Sequence, residues 1–254
     1  MTYTAIVLAG SRPGRDAFAE TFGTDLKALI PVAGGPMVRR PVRALLESEA
    51  ITSVIVLAQA PEQIVEALPA DERIAVRRSD ATIASTMLAL CFDKSTRWPL
   101  LVTTADHALL DNATVDEFCR AAEGADIAVG VVERSALLKR LPSTRRTWLK
   151  FRGGAYTGAN LFALGSPKAA AAIELWRVIE QDRKKGWRIV ALLGPVVLIG
   201  AALRLLTIDA VLRRLGRRLG LTVKAVRLSN PLAGVDVDKA EDHALAEAII
   251  AGKA

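Results

Sequence analysis

The side chains suited to act on a phosphorylated substrate stand where apolar runs break. Arg12, Arg15 and, further on, Lys27 follow the run Ala5-Ile6-Val7-Leu8. Guanidinium and ammonium groups suit a triphosphate, and Gly10 and Gly14 among them let backbone come close to it. Asp106 follows the run Pro99–Thr103. A carboxylate leaving the end of a parallel strand lies at the edge where open α/β sheets bind ligands. Asp236 and Asp238 alternate along an extended segment, which puts both on one side, although paired aspartates ahead of a helix also serve as caps. His107 is expected to pack or to face solvent, and it is assigned no proton chemistry.

The elements that must position these residues follow from periodicity. Ala5–Leu8 has the length and branching of a buried parallel strand, and Gly10–Arg15 cannot continue it. Val38–Ala50 is spaced as a helix and Ile51–Leu57 is a β-branched run. Pro61–Leu68 is then a helix, Arg73–Arg77 a short strand, and Ser79–Thr86 leads through a helix start into Met87–Phe92. Pro99–Thr103 is a strand, Thr114–Ala122 a helix and Ala125–Glu133 a strand. Gly153–Asn160 is expected to turn into a strand over Leu161–Leu164. Helices over Ala169–Ile179 and Ile208–Leu219, a strand over Leu221–Leu228 and a helix over His243–Ile250 complete the chain. This alternation predicts a single α/β domain, a Rossmann-like three-layer sandwich with a mainly parallel twisted sheet.

With 51% hydrophobic residues in 254, the chain can build such a core, and disorder is excluded. Cys91 and Cys119 are the only cysteines, without disulfide or zinc-site spacing, so a reducing compartment is expected. No basic-then-apolar leader opens the sequence, which makes a cytoplasmic protein the expectation. The net charge of +7 is unevenly spread. Between Arg134 and Arg227, 20 Lys and Arg face four acids (Glu174, Glu180, Asp182, Asp209), so that segment carries +16 and the remainder −9. A basic segment suits a phosphorylated substrate, an anionic membrane surface or nucleic acid. The stacking aromatics of nucleic-acid readers are missing, so no nucleic-acid partner is expected. Ile189–Leu203 is free of charge but short of the ~20 residues that span a bilayer, with Pro195 in its middle. It suits a buried helical hairpin. It equally suits a peripheral surface at the inner face of a membrane, given Trp176, Trp187, Arg188 and the cluster Arg213, Arg214, Arg217 and Arg218.

Three blocks carry a resemblance. Leu8-Ala9-Gly10 with Arg15, then Lys27-Ala28-Leu29 and Gly34-Gly35-Pro36-Met37, form the first; Thr104–Leu110 around Asp106 the second; Gly234–Asp242 the third. Together they resemble the nucleotidyltransferases related to molybdenum-cofactor guanylyltransferase and the sugar-phosphate nucleotidyltransferases. Ser11 and Pro13 stand where that pattern has glycines, Ala108 where it has proline, Lys239-Ala240 where it has Thr-Pro, and His243 where it has leucine. The resemblance implies the nucleotide-diphospho-sugar transferase fold. It implies a nucleotide site of Leu8, Ala9, Gly10, Ser11, Arg12, Gly14, Arg15, Lys27, Thr82, Ser85 and Asp106, although Thr82 and Ser85 equally suit helix caps. Arg15, Lys27 and Asp106 would be catalytic. Gly158 and Asn160 would line the acceptor side, or else form a hairpin turn. Asp106, Asp236 and Asp238 would hold Mg2+. Residues 1–133 would bind nucleotide, 134–228 the acceptor or a membrane, and 229–254 the metal. The reaction implied moves an NMP group, CMP or GMP, from an NTP to a phosphorylated acceptor such as a phospho-alcohol or lipid headgroup precursor, releasing pyrophosphate. A membrane-associated glycosyltransferase of the same fold, or a non-catalytic membrane scaffold, stays open, as does a homodimer.

Overall fold

The computed structural model describes residues 1–10, 16–79, 82–181, 200 and 205–254. The chain opens with β1 (Tyr3–Leu8), α1 (Ala17–Glu20), the short hairpin β2 (Pro31–Val32) and β3 (Gly35–Pro36), and α2 (Arg39–Leu46). It continues through β4 (Ile51–Ala58), α3 (Pro61–Ala67), β5 (Ile74–Arg78), α4 (Ile83–Phe92), β6 (Leu100–Thr104), α5 (Asn112–Ala122) and β7 (Ile127–Glu133). After α6 (Arg134–Arg140) come β8 (Leu149–Phe151), β9 (Gly154–Leu164) and α7 (Ala170–Gln181). The last elements are α8 (Ile208–Leu219), β10 (Val223–Arg227) and α9 (Ala240–Ile250).

The main sheet runs in the order β10-β7-β9-β6-β1-β4-β5, with β8 paired to the start of β9. Neighbours are parallel except around β9, which runs antiparallel to β6, β7 and β8. Helices cover both faces, so β1 is apolar from Ala5 to Leu8: Ala5 and Val7 enter one core, Ile6 the other. The larger core takes Val42 and Leu45 of α2, Ile64 of α3, Phe118 of α5, Leu137 of α6 and Ala246 of α9. The second takes Met87 and Leu90 of α4 and Ile173 of α7. This is the three-layer sandwich predicted above.

Buried Val115, Phe118, Cys119 and Ala122 recur on α5 at the spacing of one helical face. Phe118 is fully buried and among the largest side chains that are. Phe118→Ala is therefore expected to lower stability by about 3–5 kcal/mol in urea titration with little change in the slope.

Three expectations are corrected. The helix predicted over Val38–Ala50 stops at Leu46, and the following residues are tied by Ser48, whose hydroxyl donates to Asp116 at 2.5 Å and accepts from Ala50 N at 3.2 Å. The segment Gly153–Asn160 is not a turn ahead of a short strand. Only Gly153, at φ 88°, sits in the β8–β9 turn, and residues from Gly154 onward already belong to the long strand β9. Arg134–Arg140, taken only as the start of a basic region, is a helix. The run Ile189–Leu203 lies outside the described residues except Gly200, and so do Ser11, Arg12, Gly14 and Arg15. Among the described residues no helix is long and apolar enough to cross a membrane.

Candidate active site

The chain leaves β1 for β4 and β5 on one side, then returns to β6 on the other, so the sheet has its switch point between β1 and β6. Ligands bind outside the carboxyl ends of strands at such points. Ala105 N donates to Leu8 O at 3.0 Å and Ala9 N to Leu57 O at 2.9 Å, which brings the ends of β6, β1 and β4 together. Gly10 is exposed just beyond. A Cβ added there would lie 3.0 Å from Gln59 Nε2, so only glycine leaves that amide undisturbed.

Lys27 opens a single 3-10 turn, Lys27–Leu29. The residues after it fold back through β2 and β3, helped by left-handed Ala33 (φ 52°) and Gly34 (φ 79°). Helix α9 fastens this hairpin: His243 Nε2 donates to Pro31 O at 2.7 Å, and Ala33 N donates to Glu247 Oε1 at 2.6 Å. The His243 ring also lies 4.8 Å from that of Phe22, just beyond α1. Histidine in place of leucine at 243 thus couples the first block to the third.

The three blocks meet at one ammonium. Lys27 Nζ is 2.6 Å from Asp106 Oδ2 and 2.5 Å from Asp238 Oδ1. Asp106 Oδ1 accepts from the Thr104 hydroxyl at 2.5 Å, and Asp106 O accepts from Val237 N at 3.0 Å. Burial pulls the Lys27 pKa down, but Asp106 and then Asp238 outweigh it, so the pKa rises and the group stays charged. Lys27 and Asp106 are about one-fifth exposed, whereas Asp238 is 61% exposed and opens the cluster to solvent.

Asp236 faces another way. It receives Arg146 Nη1 on Oδ1, and Asn160 Nδ2 on Oδ2 at 3.4 Å. Burial and then repulsion from Asp238 raise its pKa, and Arg146 opposes them. Among the described residues no three His, Cys, Asp or Glu side chains gather as a metal cluster. Asp106 and Asp238 converge on one cation, and Asp236 is turned to Arg146.

Thr82 caps α4, accepting Ser85 N at 3.3 Å and donating to Ser85 Oγ at 3.1 Å. Gly158 is exposed in β9 opposite Val131, and a Cβ there would meet nothing within 4 Å. Asn160 holds the left-handed region (φ 47°) where the pairing with β7 shifts register, and its amide is aimed at Asp236. Backbone in that region persists only where its surroundings enforce it, and such positions cluster at functional sites. His107 is buried beside Thr103, and burial pushes its pKa down to about 4, so it packs as a neutral ring. Sequence reasoning missed Thr104, Arg146 and Asp242 as supports of the cluster. Thr104, inside the second block, and Asp242, inside the third, carried a signal; Arg146 lay only in the basic segment.

A family model described as the MobA-like NTP transferase domain matches residues 5–220, and the chain belongs to that family of nucleotidyltransferases. The match ends before the block that holds Asp236 and Asp238. The chain is similar to a hypothetical transferase from Thermus thermophilus, with 32% identity, a TM-score of 0.79, and coverage of 96% of this chain and 100% of that one. It shares its fold with 4-diphosphocytidyl-2C-methyl-D-erythritol synthase from Anaerococcus prevotii DSM 20548 (12% identity, TM-score 0.61, 98% and 96% covered). The same holds for CMP:2-keto-3-deoxy-manno-octonic acid synthetase complexed with CTP (15% identity, TM-score 0.57, 100% of each chain covered). No curated protein matches the sequence.

Proposed function

We propose that this enzyme transfers an NMP group, CMP or GMP, from an NTP to a phosphorylated acceptor and releases pyrophosphate. The observation that carries the reading is the meeting of Lys27, Asp106 and Asp238 at the ligand-binding edge of the sheet. These residues come from three separate blocks of sequence, each of which contributes one charge to the same point.

Two carboxylate oxygens already enclose a cation there, the Lys27 ammonium, and hard oxygen donors of this kind fit Mg2+, which takes one or two carboxylates and leaves room for phosphate oxygens. Asp106 and Asp238 would hold it, with Asp236 within the same segment. When bound, Mg2+ supplies charge neutralisation at the phosphates. Lys27 pairs with the triphosphate, with Arg15 and Arg12, which follow β1 in sequence, as further cationic partners. Leu8, Ala9 and Gly10 offer backbone beside the nucleotide, with Thr82 and Ser85 at the start of α4. Gly158, with open space over it, and Asn160 line the acceptor side. An acceptor phosphate oxygen bonds to the α-phosphorus, the bond from that phosphorus to the bridging oxygen breaks, and pyrophosphate leaves with the electron pair. The acceptor is already ionised, so no general base is required; catalysis rests on positioning and neutralisation.

The test is pyrophosphate release with Mg2+, each NTP and a panel of phosphorylated alcohols, sugars and headgroup precursors. Release with CTP or GTP and one acceptor is expected. Hydrolysis or transfer from a nucleotide-sugar alone would replace this reading with glycosyl transfer.

The basic segment extends the proposal toward an anionic membrane surface. Helix α8 carries Arg213, Arg214, Arg217 and Arg218, none in an ion pair among the described residues, and three of them line one shallow depression. Each basic side chain near an anionic surface contributes about 1 kcal/mol. The protein is expected to co-sediment with anionic vesicles more than with neutral ones at low salt, and replacing the four arginines by Gln should abolish the difference. A protein that ignores vesicles of both kinds at low salt would make the acceptor a soluble phosphate.

A further inference from the structure

Arg146 lies in the irregular stretch between α6 and β8, with its side chain only 9% exposed. Its Nη1 donates to Asp236 Oδ1, while Nη2 donates to Asp242 Oδ1 at 2.8 Å and to Asp236 O at 3.3 Å. Asp242, in the first turn of α9 and 10% exposed, accepts the Asp238 N–H on its other oxygen at 3.4 Å. Residues 235–239 form neither helix nor strand, so no ladder of backbone hydrogen bonds sets the place of Asp238. The segment is held by Val237 N on Asp106 O, by Val235 and Val237 in the core, by Lys27 on Asp238 and Asn160 on Asp236, and by this guanidinium with its two carboxylates.

Burying a guanidinium and two carboxylates is a poor way to gain stability, because the desolvation of the ions offsets most of their attraction, and apolar packing of equal volume does as well or better. A positional role accounts for the network. The planar fork of arginine fixes the angle between two carboxylates, which a lysine ammonium cannot do. Supporting groups that orient a ligand without touching the ion typically change metal affinity ~10–100-fold when removed.

We propose that Arg146 is a positioning residue: through Asp242 and Asp236 it sets where the Asp238 carboxylate stands relative to Asp106, and so sets the affinity of this edge for a divalent cation. The inference deepens the nucleotidyl-transfer reading and rests on it for the purpose of the site. Among the described residues Arg146 makes no hydrogen bond or ion pair to Lys27 or Asp106; its effect passes through the third block.

Two measurements test it together: Mn2+ binding to the protein by electron paramagnetic resonance, and the Mg2+ concentration giving half-maximal pyrophosphate release. Arg146→Met is expected to weaken both at least ~10-fold. Arg146→Lys should fall between it and the wild type. Asp242→Asn, which keeps the shape of the side chain and removes its charge, should shift both in the same direction as Arg146→Met. Where Arg146→Met does not fold, judged by circular dichroism, the other two variants decide. Folded Arg146→Lys and Asp242→Asn proteins with wild-type values in both measurements would overturn the proposal, as would a wild-type protein that binds no Mn2+. A wild type that binds Mn2+ but releases no pyrophosphate from any NTP would end the nucleotidyl-transfer reading, and the Mn2+ titrations would still decide the role of Arg146.

Discussion

Asp106→Ala is expected to lower pyrophosphate release at least ~100-fold while the protein keeps its circular-dichroism spectrum. Asp106 emerges from β6 at the switch point, with one oxygen on the Thr104 hydroxyl and the other on the Lys27 ammonium. Its removal takes away one of two oxygen donors around the cation position and leaves Lys27 with Asp238 alone. The loss of one major preorganised electrostatic contact at a reacting phosphate typically costs about 3 kcal/mol, which sets the size of the effect. The fold should survive, since Asp106 O and Ala105 N make their bonds through the backbone, to Val237 N and Leu8 O, and alanine retains both. Turnover within a few-fold of wild type would remove Asp106 from the chemistry. Asp238→Ala should act in the same direction, and an effect at Asp238 much larger than at Asp236 would assign the second oxygen donor to Asp238.

Lys27→Met is expected to lower kcat/KM for the NTP at least ~100-fold, with both a raised KM and a reduced kcat. An ammonium paired with the triphosphate in the ground state and in the transition state contributes to each parameter. Lys94→Ala, which removes an exposed charge just beyond α4, should leave both parameters near wild type. Equal losses in the two variants would mean that only general charge is sensed. A second readout is independent of turnover. The Lys27 ammonium competes with an added cation for the oxygens of Asp106 and Asp238, so Mn2+ affinity of the nucleotide-free protein should rise in Lys27→Met. A fall would show that the two carboxylates do not act as a cation site.

Much of this was legible in the residues. The runs Ala5–Leu8, Ile51–Leu57 and Pro99–Thr103 predicted three of the central strands, because a strand covered by helices on both faces is mostly apolar. The charged residues at their ends pointed to the ligand-binding edge, because a parallel sheet presents its carboxyl ends there. Thr82 was legible as a cap as well as a nucleotide contact, and the structure shows the cap. The long strand β9 was misread because its small residues, Gly154 to Asn160, carry turn signals. Pairing with β7 and β8 on its two sides overrides those local preferences.

By itself, then, the sequence determined the layer architecture, since apolar periodicity is a local property, and through the resemblance it pointed to Lys27, Asp106, Asp236 and Asp238 as charged groups of a candidate site at the carboxyl edge of the sheet. The tertiary structure alone decided how those charges are shared. Asp236 and Asp238 are only two residues apart in an extended segment, and pattern reasoning placed them on one side around one ion. In the folded protein Asp238 meets Lys27, and Asp236 meets Arg146 and Asn160. The physical reason is that a buried guanidinium must find carboxylates wherever the chain supplies them, and which carboxylates those are depends on contacts across 90 and 96 residues of sequence that no local pattern records.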